Sequence, residues 1–71
     1  METIKLSDGR TVLKQDYITA KTKILVEFGY SSLVEEEVTE QLDIILKGGT
    51  PDVIGFFIKD DLDLGVQNEN N

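Results

Sequence analysis

A chain of 71 residues with a net charge of −7, no cysteine and no histidine has room for one hydrophobic core and no disulfide to support it. The missing His and Cys remove the usual transition-metal ligands, the commonest general base and the thiol nucleophile, so the first expectation is a protein without catalytic residue, cofactor or metal. The acidity disfavours nucleic acid as a partner and favours a basic one, and it is concentrated after residue 23, where only Lys47 and Lys59 oppose the carboxylates.

Asp8-Gly9 separates two short segments and predicts a β-hairpin over residues 3–14 with a two-residue turn. That turn sets Ile4 opposite Leu13 and Leu6 opposite Thr11 on one face, with Thr3, Lys5, Val12 and Lys14 on the other. A helix is expected over residues 17–28, capped by Asp16 or Thr19. Its stripe is Tyr17, Ala20, Ile24 and Phe28, widened by Ile18 and Leu25. Gly29 stands where a left-handed residue closes a helix. Ser32 with Glu35 reads as a capping box opening a second helix, residues 33–46. Val34, Val38, Leu42 and Ile45 form its stripe, the run Glu35-Glu36-Glu37 suits its positive end, and Gly48-Gly49 stops it. Thr50 as N-cap and Pro51 at the first helical position predict a third helix, residues 51–62, with Val53, Ile54, Phe57, Ile58 and Leu62 as its apolar side. Gly55 inside it implies close approach of another backbone, the first helix being the expected neighbour. Residues 64–71 read as a frayed tail. The expected architecture is mainly α (α+β): one domain, residues 1–63, a compact three-helix bundle with an N-terminal β-hairpin.

The polar clusters read as solvated surface. Asp60, Asp61 and Asp63 lack the Gly and the distal Glu of a calcium loop. The Glu35–Asp43 acids have no partner pattern for hydrolysis. Ser31 and Ser32 have no His to activate them. Gly48-Gly49-Thr50 lacks the Lys of a phosphate loop. The basic residues near the N-terminus have no interleaved aromatics, so nucleic-acid binding is not expected. Met1–Lys5 carries no apolar signal core and no run reaches membrane-spanning length, so a cytoplasmic protein without membrane contact is expected.

The stretch Ile24-Leu25-Val26-Glu27-Phe28-Gly29-Tyr30 resembles the first-loop signature of ubiquitin-associated (UBA-like) domains, Met-Gly-Phe or Met-Gly-Tyr followed by two more helices. The resemblance covers about residues 18–62, with Phe28 in place of the Met and the N-terminal hairpin outside the pattern. It implies protein binding through Phe28, Gly29, Tyr30, Ile58 and Leu62. Independently of it, Glu36, Glu40 and Asp43 recur at helical spacing along one solvent face, and Phe56 falls at the edge of the third helix's stripe, partly exposed. The expected partner surface is therefore a rim of acids around an apolar spot that includes Phe56 or Tyr30. These features point to a small, acidic, non-enzymatic protein-binding module with an accessory or regulatory role, of a composition frequent among phage and mobile-element products. Two alternatives stand beside it: a nucleic-acid-mimicking inhibitor of a host defence or nucleic-acid enzyme, and a structural component of a larger assembly.

Overall fold

The computed structural model describes residues 1–31 and 33–63; the Ser32 cap and the tail over residues 64–71 lie outside the described residues. In chain order the elements are β1 (Thr3–Lys5), β2 (Thr11–Leu13), α1 (Lys14–Glu27), α2 (Val34–Leu46) and α3 (Val53–Lys59). The architecture is mainly α, a three-helix bundle with an antiparallel N-terminal hairpin. α2 is central and packs against both α1 and α3.

The hairpin forms, but its turn is one residue longer than expected. Gly9 N donates to Leu6 O (2.9 Å) and Leu6 N to Arg10 O (2.8 Å), with Gly9 at φ +96°. This is a three-residue loop, a type I turn closed by a left-handed glycine. The pairing consequently shifts to Thr3↔Leu13, Ile4↔Val12 and Lys5↔Thr11. Val12, expected on the polar face, packs against the core beside buried Ile4, and Leu13 is only half-buried. Asp8 clasps the turn: its carboxylate accepts from Arg10 N (3.0 Å) and Nε (2.8 Å), which holds its pKa below the usual carboxylate value.

The free edge of β1 is stitched to the end of the third helical region. Ser7 N donates to Asp61 O, Asp63 N donates to Lys5 O, and Leu6 bridges Leu62. Leu62 is thus buried as an extended residue after α3, not as part of the helix. Asp61 is also tied to α1, accepting the Tyr17 hydroxyl at 2.7 Å with Lys21 Nζ at 2.8 Å.

Helix α1 starts three residues earlier than expected, directly out of β2 and with no side-chain cap; Asp16 lies inside its first turn. Its buried meridian is also turned. Tyr17, Ile18 and Leu25 face the core, while Ala20, Ile24 and Phe28 are exposed. Lys21 occupies the inner line between Ile18 and Leu25, laying its stem along the core and carrying its ammonium out to Asp61. At the C-terminus Gly29 (φ +106°) closes a Schellman motif, donating to Val26 O while Tyr30 N donates to Leu25 O.

Helix α2 buries the expected stripe, Val34, Val38, Leu42 and Ile45, and also Gln41. The Gln41 Oε1 accepts Asp52 N at 3.0 Å, so the buried amide fixes the entrance to α3. Asp52, not Thr50, is the N-cap of α3; its Oδ1 accepts Gly55 N at 3.1 Å. A Cβ on Gly55 would meet Gln41 Oε1 at 2.7 Å and collide with Pro51 Cβ. The close approach is therefore to α2 and the preceding loop, not to α1.

Candidate interaction surface

Helix α3 is only seven residues long and apolar on both sides. Ile54, Gly55 and Ile58 turn to α2 and are buried, whereas Val53, Phe56 (56% exposed) and Phe57 face outward. Residues three and four apart are neighbours on a helix, so Val53, Phe56 and Phe57 form one outer face. A helix apolar all round normally has cover all round; this one is covered on one side.

The face continues onto the α1–α2 turn. The Tyr30 ring meets Phe57 edge-on, with centroids 6.1 Å apart and planes at 72°. Tyr30 then lines a groove of about 240 Å³ with Ser31, Leu33, Val34, Glu37 and Ile54. Leu33 and Phe28 (77% exposed) stand at the same turn and are among the most exposed apolar side chains of the described chain. Glu37 projects from the first turns of α2 into this groove, and its carboxyl is in hydrogen-bonding reach of the Asp52 carboxyl. That contact, then partial burial and the charges of Asp52 and Glu40, push Glu37 above its ordinary carboxylate value.

Of the residues singled out from sequence, Phe28, Gly29, Tyr30 and Phe56 stand at this surface. Ile58 and Leu62 do not. Ile58 is fully buried against α2 and Leu62 is buried beside Leu6, so neither presents a side chain to a partner in this fold. Glu36 and Glu40 are exposed on the outer side of α2, but Asp43 at the end of that row is drawn into the fold. Its Oδ1 accepts from Lys14 Nζ at 2.6 Å, and Glu2 Oε1 lies 3.3 Å from the same nitrogen. The pair holds the Lys14 pKa above its usual value, the Asp43 hydrogen bond being the larger cause. Sequence reasoning passed over Leu33, Val53 and Phe57 as surface residues and the Glu37–Asp52 pair altogether. The available signal was Val53-Ile54-x-Phe56-Phe57-Ile58, too apolar for a helix with one buried face.

Among the described residues no group of three or more acidic, His or Cys side chains is arranged to hold a metal ion, and no helix is long and apolar enough to cross a membrane. Comparison with protein-family models, curated proteins and solved structures finds no match to this chain.

Proposed function

We propose that the chain is a small, acidic, non-enzymatic protein-binding module that docks its partner on the aromatic face formed by α3 and the α1–α2 turn. The observation that carries this reading is the outer side of α3: Val53, Phe56 and Phe57 stay in water beside a buried Ile54–Ile58 line. Leaving a large apolar side chain exposed forfeits up to about 1.5–3 kcal/mol of burial. Contiguous apolar faces of this kind mark interaction surfaces. The Gly-aromatic loop of the UBA-like resemblance contributes Phe28 and Tyr30 to the contact, while Phe56 and Phe57 take the place of Ile58 and Leu62. An accessory or regulatory role in the cytoplasm accompanies this reading, and the association with phage and mobile-element products rests on composition alone.

Affinity capture from the native host, comparing the wild type with Val53→Ser/Phe56→Ser, tests it. The variant is expected to keep its thermal unfolding transition and to lose proteins that the wild type retains. Identical retained sets from a folded variant would sink the reading. The second reading, nucleic-acid mimicry, is supported by Glu35, Glu36 and Glu40, which are exposed and in no ion pair among the described residues. It requires binding that collapses with added salt, whereas the apolar face requires a shallow salt dependence.

A further inference from the structure

The groove beside the aromatic face has a definite chemistry, and it narrows the partner. Its apolar walls are Tyr30, Leu33, Val34 and Ile54, and one side is acidic. At about 240 Å³ it is smaller than the roughly 300–1,000 Å³ of small-molecule sites, the scale of a side chain and not of a whole ligand. Glu37 lines the groove, and Gln41, one turn further along α2, holds Asp52 N at 3.0 Å, so the Asp52 carboxyl stands beside Glu37 just outside the lining; no Lys or Arg among the described residues is paired with either. Asp52 cannot swing away freely, because its Oδ1 caps α3 at Gly55 and its backbone N–H is held by the buried Gln41 amide. The acid pair is therefore built into the framework that joins α2 to α3, and lies next to unpartnered apolar surface.

We propose that this groove receives a short segment of a protein partner in which an apolar side chain is set beside an arginine or lysine. The apolar group enters between Tyr30, Leu33 and Ile54, and the cation bridges Glu37 and Asp52. Two carboxylates in contact repel, and the free protein relieves this by keeping a proton on Glu37 at higher pH than usual. A guanidinium does the same with two charge-assisted hydrogen bonds and a planar fork that matches two acceptors, so arginine is the preferred cation. The apolar part supplies contact area, while the cation fixes orientation and excludes acidic or neutral segments. The inference rests on the reading of this face as a protein-docking surface and specifies what docks there.

Selection of a random-sequence peptide library on the immobilised full-length protein tests it. The expected enriched peptides share an apolar residue at fixed spacing from Arg or Lys. Amide shifts on titrating the best one should centre on Tyr30, Leu33, Glu37 and Ile54. Glu37→Gln and Asp52→Asn, the latter retaining a capping acceptor, should each weaken that peptide about five- to tenfold, as should replacing its arginine with citrulline. Enriched peptides that lack a cation, or that bind the two variants as tightly as the wild type, would overturn the inference and leave the docking face standing. Peptides whose shifts fall away from both the groove and Phe56–Phe57 would overturn both. Failure to enrich any peptide would overturn the segment-binding inference, and host capture by the Phe56 face would still be judged separately.

Discussion

Helices α2 and α3 lie against each other and are built from the same kinds of apolar residue, yet they end in opposite conditions. Over thirteen residues α2 spaces Val34, Val38, Leu42 and Ile45 on one meridian and fills the opposite side with Glu35, Glu36 and Glu40. Every apolar residue of that stripe is buried, and Leu46 at the helix's end is its one exposed large apolar residue. In seven residues α3 carries five large apolar side chains, and a single neighbouring helix covers only Ile54 and Ile58. The difference teaches how far one neighbouring helix can bury another in so small a domain. Length and period determine how much of a helix one neighbour can cover, and apolar residues beyond that limit stay in contact with water.

The contrast is broken most directly by truncation. Leu42→Ala removes a fully buried side chain from the centre of the core and should cost about 3–5 kcal/mol in urea unfolding. That is a large share of the roughly 4–10 kcal/mol expected for a domain this size. Phe56→Ala, deleting a larger side chain, should change stability by less than about 1 kcal/mol. Comparable losses at the two positions would show that the outer face of α3 is structural.

A smaller effect tests the seam between the two helices. Gly55→Ala drives a methyl group toward Gln41 Oε1 and Pro51, so α3 must shift against α2 at a cost of about 1–3 kcal/mol. At Gly29 nothing lies within 4 Å of an added Cβ, and the cost there is backbone strain at φ +106° alone, about 1–2 kcal/mol. Because only the first substitution moves α3 against α2, only Gly55→Ala should also perturb the bond from Asp52 N to the Gln41 amide, read from the Asp52 amide and Gln41 side-chain shifts. Equal perturbation by both would mean that Gly55 does not set the α2–α3 seam.

The smallest effect is electrostatic. Glu37 is raised above its ordinary value in the folded chain, so the native state binds its proton more tightly than the unfolded state does. The pair with Asp52 therefore works against folding at neutral pH, and this penalty is relieved as pH falls through the raised value. Glu37→Gln should slightly raise the urea midpoint at neutral pH and remove that part of the acid-side gain. A midpoint lowered at neutral pH would show that the carboxylate pair is stabilising, contrary to the repulsion inferred from its contact.

Much of the architecture was legible in the chain because it is encoded locally. Gly29 and Asp8-Gly9 mark chain reversals that depend on a few consecutive residues, and the α2 stripe repeats for long enough that its period is unambiguous. Of the candidate surface, exposed Tyr30 and Phe56 were named as the apolar spot, and Phe28 and Gly29 came from the UBA-like resemblance. Periodicity put Ile58 and Leu62 on one apolar side with Val53 and Phe57, and the resemblance put them at the partner surface; neither could tell which of the four are covered, because exposure is a property of what covers a residue. The same reason explains α1, where the buried meridian runs through Ile18 and Leu25 with the charged Lys21 between them. Its stem packs and its ammonium is satisfied by Asp61, some forty residues away in sequence.

By itself, the sequence determined the kinds and order of the elements, their main stops and the strongly acidic surface, since propensity, capping and charge act over a few neighbouring residues. The tertiary structure alone decided the hairpin register, the Asp61 junction with α1 and β1, the Gln41 bond that positions Asp52, and which side of α3 meets water. These are choices among locally equivalent arrangements, and they are settled by burial and hydrogen bonding between segments distant along the chain.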